Sequence, residues 1–191
     1  MGDLRAYVGL GANLGDREGT LAAAIAALDE LPGVSVAGVS RLYATRPIGP
    51  SEQRDYRNAV AALDVRPRAT VVETATGLLH DLKDLETRFG RRPRERWSPR
   101  ELDLDLLVLG RHRLALTDPD LTIPHPRIED RLFVLAPLRD LGPRLRPPGW
   151  PETVARAYRR RLAIEGADAV RPVGAWDHGV RRWEPLASPR S

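Results

Sequence analysis

Residues 96–110 read RWSPRELDLDLLVLG, a stretch in which aspartate and leucine alternate before an apolar run. Successive side chains of a β-strand point to opposite faces, so Asp103 and Asp105 are predicted to share one face. The leucines at positions 102, 104 and 106 then lie on the other face, and the apolar run predicts a strand anchored in a core. Aspartate is uncommon in strands, so two on one face beside a buried run indicate a specific role.

The residues around this strand carry the chemistry of a phosphate site. Two carboxylates offer the oxygen ligands that suit Mg²⁺, which keeps several waters and takes further ligands from substrate phosphates. Arginines precede the pair, and their planar guanidinium groups match phosphate oxygens. They are Arg91, Arg92, Arg94, Arg96 and Arg100. A cationic loop beside an acidic strand therefore predicts a nucleoside-triphosphate site.

A purely structural explanation of the same residues stays open. Asp103 and Asp105 could lie on the solvated side of an edge strand, where charge prevents edge-to-edge aggregation. The arginines alone could form a solvated basic loop. The adjacency of the two features, with Trp97 between them, favours a site.

The composition restricts the class of protein. The chain has 191 residues and no cysteine, which predicts one domain with or without an appendage and excludes disulfide scaffolds and thiolate metal sites. The sequence shows neither a signal-peptide core nor a run of about 18 apolar residues, so we expect a cytoplasmic protein that does not engage a membrane. The net charge is +4 and the pI is near 10.1. Lys83 is nevertheless the only lysine, and acidic residues are interspersed throughout, so we expect no nucleic-acid partner.

The pattern of apolar residues predicts an α+β fold with a ferredoxin-like β-α-β-β-α-β core. Two helices are expected on one face of an antiparallel sheet, and later segments are expected to cover part of the other face. From Gly174 onward the chain shows no periodicity, so we expect a loosely packed extension there. The expected elements are a strand at 5–10, a helix capped by Asp16, a strand or bent pair of strands at 34–45, a strand at 56–65, a helix from Val71 that ends at Gly90, the aspartate strand, a short helix around 130–141 and a helix at 152–163.

Two common nucleotide-binding motifs do not occur in the sequence. The dinucleotide fingerprint G-x-G-x-x-G, starting at Gly9, would need glycine where Leu14 stands. A G-x-x-x-x-G-K-[ST] phosphate loop is absent from the whole sequence. Any transfer of phosphate must therefore rest on arginine and metal.

Five motifs, in this order along the chain, give a family resemblance. They are GANLG at 11–15, TRPIGP at 45–50, YRN at 56–58, RWSPRELDLD at 96–105 and IPHPR at 123–127. With them, the chain resembles the 6-hydroxymethyl-7,8-dihydropterin pyrophosphokinases of folate biosynthesis from about residue 6 to about residue 138. The resemblance implies transfer of the β,γ-pyrophosphoryl group of ATP to the pterin hydroxymethyl oxygen, which leaves AMP. It assigns residues 1–149 to a pyrophosphokinase domain and leaves 150–191 as a C-terminal helix and extension of unknown role.

The resemblance also implies roles for individual residues. Two Mg²⁺ ions, with ATP as co-substrate, would be held by Asp103 and Asp105. The catalytic group would consist of this pair with Arg91 and Arg100. The pterin-binding residues would be Thr45, Ile48, Tyr56, Asn58, Trp97 and Phe133. The ATP-binding residues would be Glu86, Arg91, Trp97, Arg100, Leu106, Thr122, His125 and Arg131.

Some of these roles have physical support, and others have structural alternatives. Asn58 can both donate and accept hydrogen bonds at the edge of a pterin. Tyr56 and Phe133 could stack on its ring, although both could also be core aromatics. Glu86 falls in the last turn of a helix, where the helix dipole disfavours a carboxylate, so we expect it to have a partner among the arginines or in the ligand. The family usually has arginine where this chain has Pro93.

Two other functions are compatible with parts of the sequence. An RNA-binding domain could use the same fold, but the strand from Tyr56 lacks the aromatic pattern of such domains, and the aspartates would repel phosphates. Another metal-dependent phosphoryl or nucleotidyl transferase would be distinguished by its nucleotide product. We therefore expect ATP and a pterin as partners and a chain that is a monomer or a homodimer.

Overall fold

One antiparallel sheet organises the chain in the computed structural model, which describes residues 2–45, 54–90 and 100–186. The strands are β1 (Leu4–Ala12), β2 (Val34–Val39), β3 (Leu42–Thr45), β4 (Tyr56–Val65), β5 (Asp103–Leu109), β6 (Leu114–Thr117), β7 (Asp120–Ile123), β8 (Val170–Asp177) and β9 (Arg182–Pro185). The helices are α1 (Arg17–Asp29), α2 (Val71–Arg88), α3 (Leu132–Leu141) and α4 (Val154–Glu165).

The main sheet has the strand order β5-β1-β4-β3-β8-β9, with β2 also paired to β4. The first four strands in this order match a ferredoxin-like core. In such a core the first strand along the chain lies, in the sheet, between the third strand and the last one. The α+β fold class predicted from the sequence is therefore confirmed. Among the described residues, no helix is both long and apolar enough to cross a membrane.

The two helices of the core begin at side chains that cap them. Asp16 accepts a hydrogen bond from the backbone N of Gly19 at 3.0 Å, as the sequence predicts. Thr70 and Glu73 form a reciprocal capping box at the start of α2. The same helix ends at Arg88 with Phe89 as its C-cap, and Gly90 follows with φ of 90°, a left-handed conformation that favours glycine.

The segment after α1 forms a bent pair of strands, which decides between the two expectations for residues 34–45. β2 pairs with residues 61–65 of β4, and β3 pairs with residues 56–58. Ser40 lies at the bend, where its Oγ accepts a hydrogen bond from the backbone N of Val60 at 2.9 Å. The bend carries β3 alongside the end of β4 that bears Tyr56 and Asn58.

The two faces of the sheet are covered by different helices. Leu21 and Ile25 of α1 and Leu82 of α2 belong to a large buried cluster with the even-numbered residues of β1. On the opposite face, Leu135 and Leu138 of α3 pack with residues of α4 and with Val60, Leu107 and Val108 of the sheet. The second pair of helices covers only part of its face, and the uncovered part carries the aspartates.

The C-terminal segment is not the loosely packed extension expected from Gly174 onward, and that expectation is wrong. β8 pairs with β3, and β9 pairs with β8, so the hairpin continues the main sheet. Trp183 is only 7 % exposed, and its Nε1 donates to the backbone O of Ser40 at 2.9 Å. Its ring contacts Trp176 edge-to-face with centroids 4.7 Å apart. The sequence missed this hairpin because its apolar contacts come from a strand more than 100 residues away.

The short antiparallel pair β6–β7 is a second element that the sequence analysis did not predict. The predicted C-terminal helix at 152–163 is confirmed by α4, and the short helix around 130–141 by α3. The division of function between residues 1–149 and 150–191 stays a prediction.

Replacing Trp183 by alanine tests whether the hairpin is part of the folded core. The change removes a buried indole and leaves the Ser40 carbonyl without this donor, so we expect the free energy of unfolding to fall by about 3–5 kcal/mol. Denaturant unfolding measures the loss. Val180→Ala is the matched control, because Val180 lies in the turn of the same hairpin and is 57 % exposed. Equal stability of Trp183→Ala and wild type would contradict the integration of the hairpin into the sheet.

Candidate active site

The acidic residues of β5 lie on the partly covered face of the sheet. Asp103 and Asp105 are both partly exposed, whereas Leu102 and Leu104 are 0 % exposed and lie on the face covered by α1 and α2. The alternation read from the sequence is therefore confirmed for this part of the strand.

The strand register brings a polar residue of β4 into line with this pair. Gly11 of β1 lies directly opposite Asp103 on one side and opposite Asn58 on the other. Directly opposite residues of antiparallel strands project to the same face. Asp103, Gly11 and Asn58 thus form one row across three strands, and Asp105 lies opposite Gly9 in the next row.

Asn58 is held by a neighbour on β3. Its Nδ2 donates to Thr45 Oγ1 at 2.8 Å, and both residues are only 7 % exposed. Thr45 lies opposite Tyr56, whose phenol has a pKa raised by burial, with Arg100 opposing that effect. Three of the predicted pterin-binding residues, namely Thr45, Tyr56 and Asn58, are therefore brought together at one end of β3 and β4.

The start of the aspartate strand is fixed to the loop that follows β1. Asn13 Oδ1 accepts from the backbone N of Arg100 at 2.8 Å, and the backbone N of Asn13 donates to Arg100 O at 3.1 Å. The guanidinium of Arg100 pairs with the carboxylate of Asp103. Burial acts to lower the pKa of Arg100, but Asp103, Glu86 and Asp105 outweigh it and raise the pKa. Sequence reasoning did not single out Asn13, although it lies at the centre of the GANLG motif.

Glu86 of α2 contacts β5 from the side of the sheet that α1 and α2 cover. The opposite side, which carries Asp103 and Asp105, is called the open face. It is 1 % exposed, and its Oε1 accepts from the backbone N of Leu104 at 2.7 Å. Lys83 pairs with Glu86 at 3.0 Å between Nζ and Oε2 and also donates to Leu104 O at 3.3 Å. Because β5 is an edge strand, these two side chains take the place of a neighbouring strand and hold the residue between the two aspartates. The predicted contact of Glu86 with ATP stays a prediction.

His125 lies close to the aspartates on a turn after β7. Its backbone N donates to Leu107 O at 2.8 Å, and its Nδ1 accepts from the backbone N of Arg127 at 3.2 Å. Burial lowers the pKa of His125, and the nearby charge of Asp105 partly offsets this effect. The imidazole is therefore neutral near pH 7, and with Nδ1 accepting, the ring proton lies on Nε2, which becomes a donor.

Arg131 is a cation on the same side of the site as His125. Its guanidinium lies over the ring of Phe133, 5.6 Å from the centroid. Burial lowers its pKa, whereas the charge of Asp105 acts in the opposite direction. Arg131 and His125 thus both lie within electrostatic reach of Asp105, and their ATP-binding roles stay predictions.

Two further predicted ATP-binding residues lie in different surroundings. Thr122 lines a cavity of about 480 Å³ together with His125, Arg113 and Trp150. Leu106 is 3 % exposed and packs in the helix-side core, on the face of β5 opposite to Asp105. Its side chain therefore does not face the row of polar residues. Three predicted residues, Ile48, Arg91 and Trp97, lie outside the described residues.

The oxygen donors on this face bear on whether the site can hold a metal ion. Within residues 2–45, 54–90 and 100–186, no group of three or more His, Cys, Asp or Glu side chains is arranged to hold a metal. Asp103 and Asp105 alone give two oxygen-donor carboxylates on one face. This set fits Mg²⁺ that arrives with a nucleotide, because Mg²⁺ keeps waters and takes substrate phosphates as ligands.

Removing the Glu86 side chain tests its support of β5. Glu86→Ala leaves the buried backbone N of Leu104 without this acceptor, and we expect a loss of about 1–3 kcal/mol in unfolding free energy. Glu86→Gln is the matched control, since its amide oxygen can still accept from Leu104 and most of the stability should remain. Urea unfolding measures the loss, and amide hydrogen exchange at Leu104 should speed up only in the alanine variant. Wild-type stability and exchange in Glu86→Ala would show that Glu86 does not support the strand.

Comparison with known proteins identifies the family. Residues 7–143 match the family model of 7,8-dihydro-6-hydroxymethylpterin-pyrophosphokinase. The chain is 42 % identical over 144 residues to the 2-amino-4-hydroxy-6-hydroxymethyldihydropteridine pyrophosphokinase of Pseudomonas aeruginosa, which covers 75 % of this chain and 84 % of that protein. It is 38 % identical over 136 residues to the Bacillus subtilis protein of the same name, which covers 71 % and 77 % of the two chains.

Solved structures show the same fold at much lower identity. A Plasmodium falciparum HPPK-DHPS triple mutant with STZ-DHP superposes with a TM-score of 0.71 at 13 % identity, over 96 % of this chain and 48 % of that chain. A second HPPK-DHPS, in complex with substrates, gives a TM-score of 0.69 at 9 % identity, over 97 % and 50 % of the two chains. This chain therefore spans about half the length of those structures. From the family match and the identities to the two bacterial proteins, we conclude that the chain belongs to the 7,8-dihydro-6-hydroxymethylpterin-pyrophosphokinase family, the enzymes of folate biosynthesis that transfer the pyrophosphoryl group of ATP to the hydroxymethyl group of the pterin and release AMP.

Proposed function

We propose that this chain performs the pyrophosphoryl transfer on the open face of the sheet, with the pterin at Asn58 and the phosphates at Asp103 and Asp105. The observation that carries the proposal is the single row formed by Asp103, Gly11 and Asn58. A group that recognises a polar ring edge and a group suited to metal-bound phosphate lie two strands apart on one surface. A substrate held at one end of the row reaches the other end with its hydroxymethyl arm.

The pterin end of the row offers hydrogen bonds in a fixed geometry. Thr45 holds the amide of Asn58 through the 2.8 Å bond, so the orientation of the amide is set before a ligand binds. A preset amide loses little conformational freedom on binding. Tyr56 and Phe133, together with Ile48 and Trp97, complete the proposed pterin site by contact with the flat ring.

The phosphate end of the row combines two carboxylates with fixed cations. Arg100 and Arg131 neutralise negative charge that develops on the phosphates, and Nε2 of His125 donates a hydrogen bond to one of them. Thr122, Arg91 and Trp97 complete the proposed ATP site, in which Glu86 acts by holding β5 and Leu106 contributes only its backbone, because its side chain packs in the core. Arg100 also balances the charge of Asp103, which allows two carboxylates to lie side by side on a half-buried surface.

The proposed metal is Mg²⁺, as two ions, held by Asp103 and Asp105 together with the phosphates of ATP. When bound there, the metal would supply charge neutralisation at the phosphates. Phosphoryl transfer depends mainly on position and charge. The chain therefore acts by orienting both substrates, and no residue of it is assigned as a general base. We also propose that the enzyme is cytoplasmic, that it is a monomer or a homodimer, and that it binds no nucleic acid.

The nucleotide product tests the reaction. With ATP, Mg²⁺ and 6-hydroxymethyl-7,8-dihydropterin, we expect AMP in equal amount to the pyrophosphorylated pterin, measured by ion-exchange chromatography. Chelation of Mg²⁺ by EDTA, or omission of the pterin, should abolish AMP formation. ADP as the stoichiometric product would mean transfer of a single phosphoryl group, and undiminished AMP formation in EDTA would exclude the metal.

The aspartates are tested by isosteric substitution. Asp103→Asn and Asp105→Asn should each lower kcat/KM by about 10³-fold, because several kcal/mol of charge stabilisation by the metal are lost. Their unfolding free energy should change little, because the Arg100–Asp103 pair is partly exposed and loss of a carboxylate relieves mutual repulsion. Asp64→Asn, which affects a surface pair with Arg5, is the control for loss of a strand carboxylate. Retained activity with a large fall in melting temperature would favour a purely structural role for the pair.

A further inference from the structure

We infer that Gly11 is a positioning residue of this enzyme. Because glycine has no side chain, the backbone at Gly11 is the surface between the pterin end and the phosphate end of the active site, and we call this surface the floor. This inference rests on the proposed function, since it takes the pterin at Asn58 and the phosphates at Asp103.

The first argument is the place of Gly11 in the sheet. It lies directly between Asn58 and Asp103 in the strand register, and all three project to the same face. Neighbouring strands are spaced about 4.8 Å apart, so the two flanking residues are separated by about 10 Å. A flat bicyclic substrate that bonds to Asn58 must extend its hydroxymethyl arm over Gly11 to reach phosphates at Asp103.

The second argument is the free space above Gly11. A Cβ built on this residue would have one described atom within 4 Å, the Oδ1 of Asn58 at 3.3 Å. Gly9, two residues earlier on the same face, differs in this respect. A Cβ there would meet the side chain of Leu107 at 3.5 Å, which is ordinary packing contact. The surface above Gly9 is therefore already covered, whereas among the described residues only Asn58 lies close to the space above Gly11.

The third argument is that the backbone does not require glycine at this position. Gly11 is not among the glycines with positive φ, so an L-residue can adopt its conformation. Glycine in the interior of a strand weakens the strand and often marks the close approach of a ligand. The backbone conformation does not require glycine, and the one described atom that a Cβ would crowd is Oδ1 of Asn58, itself a proposed pterin contact, so close approach of the substrate is the explanation that we infer.

A methyl group at position 11 would raise this floor by about 1.5 Å, the length of a carbon–carbon bond. A substrate resting on the backbone would be lifted away from Asn58 and from the phosphates together. A displacement of about 1 Å can cost about 10²-fold in rate when reaction depends on position. The phosphates of ATP, which lie toward β5, would be affected much less.

Steady-state kinetics of Gly11→Ala test this inference. We expect kcat/KM for the pterin to fall by about 10²-fold, with a higher KM for the pterin, while KM for ATP stays within about threefold of wild type. A loss of folded enzyme would lower kcat alone and leave both KM values unchanged. Gly9→Ala is the matched control, on the same strand and face, and should keep kcat/KM for the pterin within about threefold. Equal values for the two alanine variants would overturn the inference.

The same substitution in an Asn58→Ala variant separates the effect of filling the space above Gly11 from the effect of displacing the Asn58 side chain. The Cβ at position 11 lies close to Asn58 Oδ1, so Gly11→Ala could act by displacing that side chain. In the Asn58→Ala background this contact is absent, and the added Gly11→Ala should still lower kcat/KM at least tenfold. No further loss in that background would overturn the inference, because Gly11 would then act only through Asn58. A wild-type chain that forms no AMP would contradict the proposed function itself, whereas active wild type with an unaffected Gly11→Ala contradicts only this inference.

Discussion

The antiparallel pairing of β1 with both β4 and β5 is the constraint on which the rest of the structure depends. This central strand fixes the register of its neighbours, and the register places Asp103, Gly11 and Asn58 in one row. A shift of one residue would turn every side chain of a strand to the opposite face. The aspartates would then point into the core under α1 and α2. The buried even-numbered residues of β1 make such a shift costly, so packing on one face protects the site on the other.

The open face combines charges that need one another. Two neighbouring carboxylates repel, and their partial burial would be unfavourable without nearby cations. Arg100 pairs directly with Asp103, while Arg131 contributes to the field around Asp105. His125, neutral because of burial, adds a hydrogen-bond donor without adding charge. The cationic groups come from the segment before β5 and from the start of α3, so the site forms only when both pack on the same sheet.

The two edges of the ferredoxin-like core are protected in different ways. At the β5 edge, Glu86 and Lys83 of α2 bond the backbone of Leu104 in place of another strand. At the β3 edge, the C-terminal hairpin adds two strands, and Thr45 lies opposite Val170 of β8. Since Thr45 bonds Asn58, the hairpin supports the same end of β3 that holds the pterin-binding amide. Exposed edges invite aggregation, and here both edges also help to fix the site.

The sequence determined the ferredoxin-like order, the faces of the aspartate strand and the capped helices, because these follow from local periodicity and local hydrogen bonds. Asp103 and Asp105 could be assigned to one face from alternation alone, and the five motifs carried the family. The irregularity in the β1–β5 pairing near Tyr7 could not be predicted, although it places Leu107 and Val108 on the same side as α3. The bond from the backbone N of Leu104 to Glu86 and the strands β8 and β9 were equally beyond local patterns. Each of these depends on a contact between residues far apart in the chain, and only the tertiary structure decides which distant groups meet.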